Sequence, residues 1–272
     1  MKLRYVIVLK ALFAGGLVGI LPLTAPASHA ATPQKKAAIS EEASAALMRM
    51  GQTLRGAEQF SFQVRTTRVY AEANNEPLHI FHTIKVVAHR PNRLLVDVNG
   101  DDGANKLIFD GKTAIAYSAA QNKYATIPVP EGTIQGMLQE AVGRLGIDFP
   151  LADFLTEAPN KAFLTGVTSG RVVNTVTIDG APYLHLFFFQ PPGVELELWL
   201  EKSEQALPRR LIVTYRDLPG QPNFIAEFSD WNFNVQSSDA DFAFQPPPGA
   251  EQAQLKPAAV PATPAKAKGA AR

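Results

Sequence analysis

The stretch LHLFFFQPPGVELELWLEK, Leu184–Lys202, carries the pattern on which the fold turns. Its second half alternates without a break. Val194, Leu196, Leu198 and Leu200 fall on one side of an extended chain; Glu195, Glu197, Trp199 and Glu201 fall on the other. Period two is the signature of a strand with one dry and one wet face. Neighbouring glutamates on the wet face lie roughly 6–7 Å apart, a separation at which carboxylate pairs hydrolyse glycosides. The stretch thus admits a catalytic pair, or the solvated side of a sheet whose dry side matters.

Working outward, the same period recurs on both sides. Strands are expected at 171–178, 183–190, 194–200, 207–216 and 224–235, and before them at 60–70, 78–89, 93–98, 106–109, 113–117 and 124–129. The joints are turn chemistry: Asp110–Gly111 fits a type I′ turn with both central residues at positive φ, and Asp179–Gly180 is a second such pair. Helical spacing occurs in two places only. Ser40 is a plausible N-cap for a helix carrying Leu47, Met50 and Leu54, ended by Gly56. Ile134, Met137, Leu138, Ala141, Val142 and Leu145 mark an amphipathic helix closed by Gly146, and Asp148 begins a shorter turn bearing Leu151, Phe154 and Leu155. The fold class is α+β: one curved antiparallel sheet of about eleven strands, with helices to one side.

The ends have other compositions. Lys2, Arg4 and Lys10 precede the apolar run Ala11–Leu23, and Ser28 and Ala30 suit cleavage after Ala30. This reads as a secretory signal peptide over 1–30, the apolar run being too short to span a bilayer. The expected location is the periplasm, with no membrane span after cleavage. There are no cysteines, hence neither disulfides nor a thiol for lipid attachment. Without the leader, 23 basic face 25 acidic groups, a balance that does not suggest a nucleic-acid partner. The domain is expected over 31–245. From 246 to 272 the chain is rich in Ala, Pro and Lys, and reads as a disordered tail, either solubilising or a tether to anionic surfaces.

The segments RPNRLLVDVNGD (90–101), LIFDGKTAIAYSAAQNKYATIPVPEGTI (107–134), LGIDFPLADFL (145–155), TVTIDGAPYLHLFFFQ (175–190) and ELWLEKSEQALPRRLIVTYRDLPGQP (197–222) occur in this order, followed by FSDWNF and FAFQPPPGA. As an ordered set over about residues 43–250 they resemble an uncharacterised exported bacterial family grouped with the Lol-type lipoprotein carriers. The resemblance implies an unclosed half-barrel of eleven strands around a hydrophobic cavity under a helical lid. It carries over no functional residue.

A curled sheet has a concave face that side chains, a helix or a ligand must fill. The expected cavity lining is Leu94, Val96, Phe187, Phe189, Leu196, Leu198, Leu200 and Ile212. The expected lid face is Ile134, Met137, Leu138, Val142, Leu145 and Phe154. The partner expected is a hydrophobic small molecule or acyl chain; the alternative is another envelope protein docking on a molecule whose core is filled. Catalysis is poorly provided for. His79 and His82 point to opposite faces of a strand, and His89 and His185 have no carboxylate at ligand spacing. Asp97, Asn99 and Asp101 lack the glycine and glutamate of a calcium loop. No phosphate loop, dinucleotide fingerprint or nucleophile elbow is present. No metal, cofactor or enzymatic activity is expected.

Overall fold

The structure is a computed structural model and describes residues 38–71, 76–147 and 149–254. The leader, residues 255–272 of the tail and Asp148 lie outside the described residues.

Helix α1 (Glu41–Gly56) forms where local chemistry directs it. The Ser40 hydroxyl accepts from the Ala43 amide at 3.3 Å, and Glu41 and Glu42 sit at the positive end of the dipole. Ala43, Ala46, Leu47, Met50 and Leu54 share one stripe, and all are fully buried.

Strands β1 (Gln59–Ala71), β2 (Pro77–His89), β3 (Arg93–Gly100), β4 (Gly103–Phe109), β5 (Thr113–Ser118) and β6 (Lys123–Pro128) form an antiparallel meander. A second meander comprises β7 (Ser169–Ile178), β8 (Ala181–Gln190), β9 (Val194–Glu201), β10 (Pro208–Tyr215) and β11 (Asn223–Asn232). Antiparallel pairing of β1 with β11 joins them into one sheet. A twelfth strand, β12 (Glu251–Gln252), completes the order β12-β6-β5-β4-β3-β2-β1-β11-β10-β9-β8-β7, and the two end strands do not pair with one another. The result is an unclosed, curved half-barrel.

The twelfth strand corrects the expected end of the domain. β12 runs parallel beside β6, within the stretch read as disordered from 246. Aromatic anchors hold the approach to it. Phe242 is buried, and the Phe244 ring lies 5.7 and 5.4 Å from those of Tyr117 and Tyr124. The Asn122 side chain donates to the Pro248 carbonyl, and the Glu251 amide donates to the Asn122 carbonyl. Two phenylalanines and a few backbone bonds fix a segment whose average composition resembles a linker.

The two Asp-Gly turns also differ. Asp179 and Gly180 both have positive φ, as a type I′ turn requires. At Asp110–Gly111 only Gly111 does. The Asp110 carboxylate instead accepts from the Lys112 and Thr113 amides at 2.8 Å, an Asx-type turn rather than the expected one.

The mid-chain helical region is more broken than its periodicity suggests. α2 (Ile134–Leu138) gives way to a π-helical stretch at Gln139–Arg144, a 3₁₀ turn follows at Ala152–Phe154, and α3 (Pro159–Leu164) was not expected. Gly132 (φ 63°) and Gly146 (φ 67°) bound the α2–π unit in left-handed backbone, where a side chain would be strained.

Candidate functional site

Both helical regions pack on the same face of the sheet, and that face is nearly all apolar. Phe60, Phe62 and Val64 of β1 alternate inward with Ile84, Val86 and Ala88 of β2 and with Leu94 and Val96 of β3. On the other meander Leu184, Leu186 and Phe188 join Leu198 and Leu200, then Leu211 and Val213, then Phe224, Ala226 and Phe228. Against them lie the α1 stripe and Ile134, Met137, Leu138, Ala141, Leu151, Phe154, Leu155 and Phe163 of the mid-chain segment, in one continuous cluster. Phe154 meets Phe163 and Phe228 edge-on at 4.8 and 4.9 Å.

Of the expected lining, Leu94, Val96, Leu198 and Leu200 are buried in this cluster, and Leu196 is half-buried against it. Phe187, Phe189 and Ile212 are not on this face. The β8–β9 register sets Leu186 opposite Leu198 and Phe187 opposite Glu197. The inward phenylalanine is therefore Phe188, with Leu184 and Leu186. On β10 the inward pair is Leu211 and Val213, and Ile212 faces outward. A run of three phenylalanines satisfies either parity, so the partner strand decides. Of the expected lid face, Ile134, Met137, Leu138 and Phe154 are buried, and Val142 and Leu145 are half-buried against the cluster.

The convex face holds the glutamates of β9, and each has its own partner. Glu195 accepts from Arg216 at 2.7 Å, Glu197 bonds His185 at 2.7 Å and Glu201 accepts from Ser203 at 3.2 Å. His185 does have a carboxylate neighbour, which spacing along one strand could not show. Trp199, on the expected wet side, is only 8% exposed. Its ring stacks on His185 at 4.0 Å and 9°, and the Arg210 guanidinium lies 5.4 Å from its centre. Arg210 donates in turn to Glu227 at 2.7 Å. This is a cross-strand ladder of stacked and ion-paired groups, not two free carboxylates facing a substrate. The calcium-like loop is also divided: Asp97 pairs with Lys106, Asp101 accepts from the Phe81 amide and Asp102 pairs with His82. Among the described residues, no group of three or more His, Asp or Glu could hold a metal.

One residue of the site was not anticipated. Arg90, in the turn His89–Asn92, reaches across to the mid-chain segment. Its Nη1 and Nη2 donate to the carbonyls of Leu155 and Thr156 at 3.1 and 3.3 Å. Its guanidinium lies 5.5 Å from the centre of the Phe60 ring, and its buried Nε has no hydrogen-bond partner. Burial pushes its pKa down, opposed by the charge of Glu157. Asp153 within the segment is half-buried, and its partial desolvation raises its carboxyl pKa.

Two clefts open on this framework. One, of about 440 Å³, lies over β1, β2, β3 and β11 and is lined by Arg65, Thr67, Phe81, Asn99, Asp101 and Glu227 among others. The second, about 300 Å³, sits at the rim where α1, the β2–β3 turn and α2 meet, and is lined by Arg55, Arg90, Pro91, Ile134, Gln135 and Glu157. The concave face itself is covered by the helical side chains.

No curated protein matches the chain. Among solved structures, it is similar to an uncharacterized conserved protein from Thermus thermophilus, at 12% identity and TM-score 0.46, over 79% of this chain and 99% of that one. It is also similar to a LolA superfamily protein from Nitrosomonas europaea, at 11% identity and TM-score 0.39, over 74% and 97%. For the Mycobacterium tuberculosis lipoprotein LppX the values are 16% and 0.44, over 72% and 99%. Among the described residues, no helix is long and apolar enough to cross a membrane. The family described as predicted periplasmic protein (DUF2092) matches residues 43–256, and the chain belongs to that family.

Proposed function

We propose that the protein binds an apolar chain in the periplasm, a free lipid or the acyl part of a lipoprotein, between the concave sheet and the mid-chain segment. One observation carries this reading: a continuous apolar concave face is covered by a segment built only of short, interrupted helical pieces. Helices of five and six residues are not stable alone, so the segment is held by the surface it covers. The concavity is filled by the protein's own side chains, so binding is an exchange. Ile134, Met137, Leu138 and Phe154 leave Leu94, Val96, Leu198 and Leu200, and a hydrocarbon chain takes their place. Burial at about 25 cal/mol per Å² then supplies affinity without a specific polar contact.

The test is native purification, organic extraction and mass spectrometry, with uptake of a fluorescent fatty acid. Co-purified lipid and saturable uptake are expected. Extracts free of lipid together with no uptake would overturn the proposal.

The filled interior favours a second reading, in which the molecule docks another envelope protein on its surface. β7 offers the means: it ends the sheet, and Val172–Ile178 carries no charge or proline to guard the edge. Strand addition there predicts that a charge placed outward at Val173, 42% exposed, abolishes a complex while leaving lipid uptake unchanged.

A further inference from the structure

We propose that the rim cleft is a headgroup site, and that the chain-bearing ligand is an anionic amphiphile with a carboxylate or phosphate end. This rests on the apolar-chain reading above and adds the class of ligand. Most arginines of the described fold are already neutralised: Arg65, Arg93, Arg144, Arg209, Arg210 and Arg216 each sit in an ion pair. Arg49, Arg55, Arg90 and Arg171 have no such pair among the described residues, and of these Arg55 and Arg90 come together. Both line the same cleft of about 300 Å³, and among the described residues neither forms an ion pair.

The surroundings leave the charge in excess. Glu157 is the one carboxylate lining the cleft, against two guanidinium groups. It is near enough to act on Arg90 electrostatically without pairing with it. Arg90 spends one hydrogen bond from each terminal nitrogen on neutral carbonyls, and each of those nitrogens keeps a second N–H. A half-buried guanidinium matched only to neutral acceptors is poised for a planar anion, which it binds through short charge-assisted bonds.

The remaining walls are apolar and lead inward. Pro91 and Ile134 line the cleft, and Ile134 is 1% exposed and belongs to the core cluster. The Ile134 amide donates to the Pro91 carbonyl at 2.7 Å, so α2 begins where the cleft floor does. A headgroup held by Arg55 and Arg90 would therefore have its chain directed under α2, into the interface that the apolar-chain reading requires to open. Polar end at the rim and hydrocarbon beneath is the arrangement of an amphiphile site.

The experiment is displacement of a neutral fluorescent probe from the full chain by hexadecanoate, by hexadecanol and by inorganic phosphate alone. In the wild type, hexadecanoate should bind at least about tenfold more tightly than hexadecanol, the size of one charge-assisted contact. In the Arg55→Gln variant, at an exposed position, the ratio should fall below about threefold. Equal affinity for acid and alcohol in the wild type overturns the headgroup site and leaves the apolar-chain reading standing. An unchanged ratio in Arg55→Gln also overturns it. Binding of neither hydrocarbon defeats both, and phosphate alone matching hexadecanoate would mark a free-anion site instead.

Discussion

Helix α1 and the mid-chain segment press equally buried side chains onto one concave surface, yet they are made differently. α1 is sixteen residues long, capped by Ser40 and continuous. The mid-chain segment covers 134–164 with a five-residue helix, a π-helical stretch, a 3₁₀ turn and a six-residue helix. Met50 and Met137 are both fully buried, so burial alone cannot tell fixed core from a cover that opens. Continuity can. A capped helix loses all its contacts together, whereas a chain of short pieces can release some and keep others.

The largest expected effect concerns the floor both regions share. Leu198→Glu places an unpaired carboxylate beneath the helices at a position 1% exposed. It should cost about 4 kcal/mol, visible as a shift of the denaturant midpoint. A loss under about 1 kcal/mol would mean that this floor is wet, and that neither region is anchored to it.

The two buried methionines separate the regions directly. Met50→Ala should cost about 3 kcal/mol, the ordinary loss for a buried methionine. Met137→Ala removes the same atoms, but its cost is capped at the free energy of opening the segment. It should be clearly smaller, about 1 kcal/mol. Hydrogen exchange checks the cause: amides of 134–145 should exchange faster than those of 47–54, and slow when a fatty acid is added. Equal costs and equal protection would make the segment permanent core.

How much of this was legible in sequence follows the range of each interaction. α1 was readable because its cap, its acidic first turn and its Leu47–Met50–Leu54 spacing all lie within one short stretch of chain. The sheet was readable because alternation and turns repeat along it. Inward and outward were not settled at Phe187–Phe189, where three like residues erase parity and only the register with β9 restores it. His185 stood isolated because its carboxylate, Glu197, is across a hairpin. Arg90 read as a turn residue because its partners, the Leu155 and Thr156 carbonyls, lie 65 and 66 residues away. The π-helical stretch was invisible, since the apolar spacing of 134–145 serves an α-helix as well.

A titration in the segment sharpens the contrast further. Burial raises the Asp153 pKa above its unfolded value of 3.8, so the native state favours the protonated form. The stability tied to that proton is fully present below the unfolded pKa and is lost as pH rises through the raised native one. At neutral pH the ionised carboxylate loosens the segment. Asp153→Asn should therefore raise the neutral melting temperature by about 2 °C and flatten its fall between acid and neutral pH. No change in that pH profile would place Asp153 outside the segment's energetics.

The smallest effect belongs to the face opposite both helical regions. Glu197 bonds His185 at 2.7 Å with its side chain 32% exposed, and Gln at that position can still accept from the imidazole. Glu197→Gln should change stability by about 0.5 kcal/mol or less, the usual worth of a partly exposed pair. It should leave fatty-acid uptake untouched, because Leu198 and Leu200, not Glu197, face the helices. Each of the two glutamates already has its own partner, Glu195 with Arg216 and Glu197 with His185, rather than facing the other across an open site. Only a folded Glu197→Gln protein that has lost its activity would return the convex face to the centre of the function. The concave face would then be plain core.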